Sequence, residues 1–203
     1  MDAQQHSLRL VENYRVILAS NSPRRKELLG GLGIKFEVRT LQDIDESYPS
    51  SLKSEEIPMY ISGKKAEVYK QSMADDELII TADTIVYNNG QVLGKPKDRG
   101  EAMLMLKELS GHAHEVITGV TIVTREKTAQ FASTSKVYFA ELTDEEIAYY
   151  VDIYKPFDKA GAYGIQEWIG YVAVTRIEGS YFNVMGLPIQ RLYTELKTLT
   201  SKI

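Results

Sequence analysis

The stretch Leu78-Ile79-Ile80-Thr81-Ala82-Asp83-Thr84-Ile85-Val86 constrains the fold more than any other part of this chain. Its apolar character is nearly continuous, not alternating, which is the pattern of a strand covered on both faces. Such a strand belongs in the middle of a sheet. Asp83 breaks the run, and a carboxylate in that setting must be paired, metal-bound or neutralised, because burying it bare costs several kcal/mol. Taken alone, Asp83 reads either as a structural cap of a strand end or turn, or as a chemical group.

The remaining elements can be placed around this strand. Val16 to Ala19 and Phe36 to Arg39 read as short strands, and a helix is expected from about Pro58 to Met73. Asn88-Asn89-Gly90 is a hairpin signal leading into a strand that ends at Leu93-Gly94-Lys95-Pro96. Asp98 caps a helix running through Leu109, and His114 to Val123 and Phe131 to Glu141 read as longer strands. Thr143-Asp144-Glu145-Glu146 is a capping-box start for a helix that stops before Pro156. A glycine-rich loop, Lys159 to Gln166, precedes two expected strands (Tyr171–Ile177 and Tyr181–Val184) and a final helix from Pro188. Strands and helices mix without strict alternation. The expected class is therefore α/β with a mixed sheet.

A second feature concerns charge. Leu18-Ala19-Ser20-Asn21-Ser22-Pro23-Arg24-Arg25-Lys26-Glu27-Leu28-Leu29 places three consecutive cations in the first turns of a helix. Ser22 suits the N-cap and Pro23 the first helical position, while Leu28, Leu29 and Leu32 supply an apolar face. A helix N-terminus already carries partial positive charge, so exposed cations there cost up to about 1 kcal/mol each. The arrangement makes sense if an anion sits there, because free N–H groups bind it too. This points to a highly charged phosphate.

Bulk properties narrow the partner. The 203 residues carry a net charge of −4, which argues against a dedicated nucleic-acid binder and for a small anion held in a local basic pocket. The absence of cysteine excludes disulfides and thiolate metal sites and is compatible with a cytoplasmic location. Met1 to Tyr14 is polar, lacks the apolar core of a signal peptide and is expected to be a loosely ordered extension ahead of one domain over 15–203. No segment approaches the roughly 18 apolar residues of a membrane span, so no membrane partner is expected.

Several side chains could carry chemistry. Lys95, on the hairpin next to the Asp83 strand, and the cationic helix start together favour phosphoryl transfer, which needs a carboxylate beside cations that neutralise phosphate charge. Asp43, Asp45 and Glu46 could hold a divalent ion with Asp83, or could form an ordinary solvated acidic loop. Lys64 and Lys65 are adjacent, and at least one of them reads as a solvated helix face. His112 and His114 lack a third ligand and read as sheet-surface histidines. Gln166 offers both a donor and an acceptor to a base edge. Trp168, Tyr163 and Tyr171 read as core. There is no G-x-S-x-G elbow, no P-loop and no G-x-G-x-x-G.

Together these segments resemble the Maf family of nucleoside triphosphate pyrophosphatases, from about Val16 to Leu196. The markers are residues 18–25, Asp45-Glu46-Ser47, Lys65-Ala66, Ala82-Asp83-Thr84, Gly94-Lys95-Pro96, Leu109-Ser110-Gly111, 158–166 and Gly186-Leu187-Pro188. The resemblance implies an elongated mixed β-sheet flanked by helices, with two lobes around a central cleft, similar to inosine triphosphate pyrophosphatases. It implies hydrolysis of a nucleoside triphosphate to the monophosphate and pyrophosphate, assisted by Mg²⁺ or Mn²⁺, and a homodimer. On matching positions, Asp83 corresponds to the proton acceptor, and Glu46 to an acidic, metal-associated residue. Ser20, Arg25, Lys65 and Lys95 match phosphate-binding positions. Arg24, Thr84 and Gln166 match the branch acting on dTTP and UTP, whereas the 7-methyl-GTP branch carries Trp at the first of these. The alternatives are that sister specificity, another non-standard nucleotide, or a non-catalytic regulator of septum formation. One departure stands out: Glu167 occupies a place where relatives often have Gly.

Overall fold

The computed structural model describes residues 10–201. A seven-stranded sheet is built from β1 (Arg15–Leu18), β2 (Phe36–Val38), β3 (Glu77–Asn88), β4 (Gln91–Leu93), β5 (Ala113–Val123), β6 (Thr128–Phe139) and β7 (Val174–Glu178). The order is β2-β1-β3-β5-β6-β7, with β4 on β3. β1 runs parallel to both β2 and β3, while β3–β4 and β6–β7 are antiparallel, so the sheet is mixed. The helices are α1 (Pro23–Gly31), α2 (Glu56–Lys70), α3 (Arg99–Leu109), α4 (Asp144–Tyr154), α5 (Trp168–Val172), α6 (Tyr181–Met185) and α7 (Ile189–Thr200). None is long and apolar enough to cross a membrane among the described residues.

The chain divides into two compact units. The first holds the described residues up to Asp83, Thr118–Ser133 and those from Gly186 onward. Its core includes Ile17, Ala19, Ala66, Tyr69, Met73, Ile79 and Val123, with Ile44 of the acidic loop packed against them. β3 is buried from Glu77 to Ala82, as its continuous apolar run predicts. Glu77 is nearly inaccessible and is offset by Arg15 at 2.7 Å and by both guanidinium arms of Arg39, which hold its carboxyl below the usual range. Of the expected N-terminal extension, residues 1–9 lie outside the described residues. Val11 is buried, and its carbonyl accepts from the Tyr14 N–H.

The second unit comprises Thr84–Ile117 and Thr134–Met185. The β3–β4 hairpin turns at Asn89 (φ 48°) and Gly90 (φ 83°), as the Asn-Asn-Gly signal demands. The Asp98 side chain caps α3 through the Glu101 N–H at 2.9 Å, and Thr143 and Glu146 form the expected capping box on α4. Arg99 and Asp152 join those two helices through paired contacts of 2.6 and 2.9 Å.

Two sequence expectations fail here. Tyr181–Met185 is helical, and Trp168–Val172 is a helix preceding a shorter strand. Apolar runs this short are compatible with either element, so periodicity does not decide between them. Tertiary contacts decide for α6. The buried Asn183 donates from Nδ2 to the Val116 carbonyl and to Ser135 Oγ, both at 3.0 Å, and the Val184 N–H returns to the Ser180 carbonyl.

Candidate active site

The first unit gathers six of the sequence-predicted residues. β1 pairs in parallel with β3 up to Leu18↔Ile80, so the chain leaving β1 and the next residues of β3 emerge at the same end of the sheet. Ser20 and Asp83 lie just past that point. The carboxyl ends of parallel strands are the usual place for ligand chemistry in α/β folds. Burial lapses there too: Asp83 and Thr84 are only half-buried between the buried Ala82 and the buried Ile85.

Arg25 crosses this end. The Ser22 hydroxyl caps α1 at the Arg25 N–H, which orients the first turn. The Arg25 side chain then donates from Nε to the Gly186 carbonyl (2.8 Å) and from Nη1 to the Ala82 carbonyl (2.9 Å). Ser20 Oγ is 3.5 Å from the same Nη1 and also accepts the Ser22 N–H. Loss of water around the guanidinium pulls its pKa down, and Arg24 adds to this, while Asp83 and Glu46 oppose it. A cation so placed gains from a nearby anion.

Lys65, from α2, supplies the second cation. Its ammonium lies 3.0 Å from Asp83 Oδ1 and 2.9 Å from Glu46 Oε1. Lys65 and Asp83 are 12% and 14% exposed, whereas Glu46 is 54% exposed, so the pair faces inward and the third group faces water. The preceding lysine has a different task. Lys64 Nζ binds Asp45 Oδ2 at 2.7 Å and the Ser47 carbonyl at 3.3 Å. Asp45 also accepts the Ser47 N–H and hydroxyl, and the Lys64 bond leads the causes that hold its carboxyl well below the ordinary range. Lys64 and Ile44 thus pin the acidic loop on either side of the residue that meets Lys65.

In the second unit, Thr84 follows Asp83 along β3 and Lys95 is exposed just after β4. The Gly94 carbonyl accepts the Gly161 N–H at 3.0 Å, tying the Lys95 segment to the glycine-rich loop. Gly161 has φ 64°, and a Cβ there would lie 2.8 Å from the Val86 side chain, so glycine is required. Gln166 is half-buried, and its Oε1 is buried without a hydrogen-bond partner.

His114 departs from its expected surface position. It is buried, with Nε2 bonded to Tyr163 Oη at 2.8 Å and edge-to-face contacts to Phe139 and Tyr163. Burial pushes its pKa down to about 4. His112 stays exposed, bonded to the Ser110 carbonyl. Tyr163 is core as expected, but Tyr171 is 84% exposed. Sequence reasoning also gave no role to Gly186 and Ala82, because what they contribute to Arg25 is a backbone carbonyl, which leaves no mark on residue type.

Carboxylates, ammonium and guanidinium at one sheet end form a set suited to polyphosphate. Asp83 and Glu46 share one ammonium, so their oxygens lie close enough to serve a single hydrated hard cation. Among the described residues no three His, Cys, Asp or Glu side chains form a metal cage. Mg²⁺ typically uses one or two carboxylates, waters and substrate phosphates, so these donors fit it.

The chain is similar to several known proteins. A dTTP/UTP pyrophosphatase of Phocaeicola vulgatus is 62% identical over 93% of this chain and 98% of its own length. Another from Parabacteroides distasonis is 62% identical over 92% and 97%, and one from Porphyromonas gingivalis 54% over 92% and 95%. Among solved structures, a HAM1 protein from Coxiella burnetii aligns over 91% of this chain and 99% of its own at 14% identity, with a TM-score of 0.47. The family model described as Maf-like protein matches residues 15–199, which span both units and every residue of the site, and the chain therefore belongs to the Maf family.

Proposed function

We propose that this chain hydrolyses dTTP and UTP to the monophosphate and pyrophosphate, as the names of its relatives suggest. The observation that carries the chemistry is the Lys65 ammonium between Asp83 and Glu46, beside the Arg25 guanidinium. In the proposed reaction, a water oxygen attacks the α-phosphorus, and the bond from that phosphorus to the α–β bridging oxygen breaks. Pyrophosphate leaves. The water proton passes to Asp83, where Lys65 engages Oδ1 and leaves Oδ2 as the accepting atom. Arg25, Lys65, Lys95 and the Ser20 hydroxyl hold the phosphates, and the fixed cations stabilise charge that grows on the leaving group. A divalent cation, Mg²⁺ or Mn²⁺, held by Asp83 and Glu46, would supply further charge neutralisation on the triphosphate.

Base choice falls to Arg24, Thr84 and Gln166. An unpaired buried acceptor such as Gln166 Oε1 is a standing cost of about 1–3 kcal/mol. Uracil and thymine carry an N3–H donor, whereas cytosine has a lone pair at that atom. A small rotation that brings Oε1 onto N3–H gains a bond and gives up none. The same reading places the protein in the cytoplasm as a homodimer, following the family resemblance.

A panel of nucleoside triphosphates assayed for pyrophosphate release, with and without Mg²⁺ or Mn²⁺, tests this function. dTTP and UTP should lead. Faster turnover of 7-methyl-GTP would overturn the roles given to the three base-choosing residues, and no release from any triphosphate would favour a regulatory protein.

A further inference from the structure

Glu167 introduces a negative charge next to the residue assigned to the base, where an anionic ligand must approach. The structure accounts for it. Neither carboxylate oxygen is free: Oε2 accepts a short hydrogen bond from the Tyr150 hydroxyl, and Oε1 lies 3.1 Å from Lys159 Nζ. Lys159 is 9% exposed and Glu167 19%, so the ion pair is largely withdrawn from water. Although Glu167 stands at the N-cap of α5, its side chain makes no capping bond there. It has turned the other way.

The partner it has turned toward holds more than Glu167. The Tyr150 hydroxyl also accepts the Gly164 N–H at 3.0 Å, while the Glu167 N–H closes a turn onto the Gly164 carbonyl at 2.9 Å. One hydroxyl therefore grips both ends of the four-residue turn that carries Gln166. Tyr150 is fully buried in α4, which makes it a rigid anchor, and burial followed by the Glu167 bond pushes its pKa up, so it remains a donor. The turn itself is shaped for this clamp. A Cβ at Gly164 would lie 2.9 Å from Glu167 Cδ and 3.0 Å from Lys159 Cε. Two charged side chains pass over that glycine to meet each other.

We propose that Glu167, clamped by Tyr150 and Lys159, is a positioning residue that fixes the Gly164–Glu167 turn and so sets the orientation of the Gln166 amide toward the base. This rests on the pyrimidine-triphosphate reading above. The added carboxylate is then not a contact with the nucleotide. Its charge is offset in part by Lys159, which Asp158 also engages at 2.7 Å, and its effect reaches the base only through the amide of its neighbour. A site that tells uracil from cytosine by the direction of one amide loses discrimination when that amide is free to turn, because the wrong base can be met by a flipped side chain.

The test uses the full-length chain with Mg²⁺ and compares Tyr150→Phe, Glu167→Ala and Glu167→Gln. Two readouts are taken: steady-state kinetics on UTP and CTP, and amide hydrogen exchange of the ligand-free protein. Tyr150→Phe and Glu167→Ala should raise KM for UTP about tenfold, lower kcat far less, and narrow the UTP-over-CTP ratio of kcat/KM about tenfold. Both should speed exchange at residues 164–167. Glu167→Gln keeps an acceptor for the Tyr150 hydroxyl and should restore most of the ratio. If Tyr150→Phe fails to fold, Glu167→Ala, whose side chain is partly exposed, carries the comparison. An unchanged UTP-over-CTP ratio in folded variants would overturn the positioning role, as would an equal fall in kcat for both nucleotides at constant KM. A wild-type chain inactive on both nucleotides would instead overturn the functional reading. The exchange data would then judge the clamp by themselves, and unaltered exchange at 164–167 would end that claim as well.

Discussion

The two compact units solve different electrostatic problems. In the first, charge is concentrated: Lys65 lies between Asp83 and Glu46, and Arg25 is fastened to two backbone carbonyls close to them. In the second, charge is withdrawn: Glu167 pairs with Lys159 and Tyr150 largely away from water, and His114 is kept neutral inside an aromatic group. The contrast matches the separate tasks proposed for Lys65 and Gln166. Stabilising a transferring phosphoryl group requires fixed charge near the reacting atoms. Choosing a base requires a fixed direction of hydrogen bonding, which packing and neutral donors secure better than loose ions.

The largest effect should follow from removing the proposed proton acceptor. Asp83→Asn preserves size and hydrogen bonding but leaves Lys65 with Glu46 alone, and kcat for UTP should fall by about 10³-fold. Affinity for the triphosphate, measured by isothermal titration with the inactive variant, should survive. Wild-type kcat in this variant would remove the first unit's claim to the chemistry.

A smaller effect tests the withdrawn charge of the second unit. His114 takes up a proton at about 4 in the folded chain against an ordinary 6.5, so the unfolded chain binds more protons between those values. Its contribution is fully present above about pH 6.5 and is lost as pH falls toward 4, about 2 kcal/mol of it by pH 5. Urea unfolding of the wild type and His114→Gln at pH 7.5 and pH 5 should show the wild type losing more stability on acidification. Parallel losses would mean that burial does not hold the histidine neutral.

The first unit was largely legible in the sequence and the second much less so. The apolar run around Asp83 predicted a covered strand with a carboxylate that needed partners, and Lys65 is that partner. The cations at the start of α1 predicted an anion site, because they oppose the helix dipole without local compensation. Residue pattern did not tell Lys64 from Lys65, and only the family resemblance singled out Lys65, since adjacent residues on one helix differ only in which loop residue each meets. Asp45 and Glu46 decide that, from a loop without periodicity. In the second unit, Tyr150 gave no signal at all: a tyrosine on the buried face of an amphipathic helix looks like packing until its hydroxyl is followed. His114 was misplaced at the surface because its strand is covered by the glycine-rich loop, a tertiary fact. The short run at Tyr181 was read as a strand for a similar reason, since Asn183 commits it to a helix through bonds to distant residues.

The most direct measurement sets Lys65→Met against Gln166→Ala, with kcat/KM determined for UTP and CTP in each. Lys65 is proposed to serve the phosphates, which both substrates share, so Lys65→Met should lower both values by about the same factor, on the order of 10²-fold, and leave their ratio intact. Gln166→Ala should lower UTP turnover about tenfold more than CTP turnover and collapse the ratio. A ratio that changes with Lys65 and not with Gln166 would contradict the division of labour proposed for these two residues.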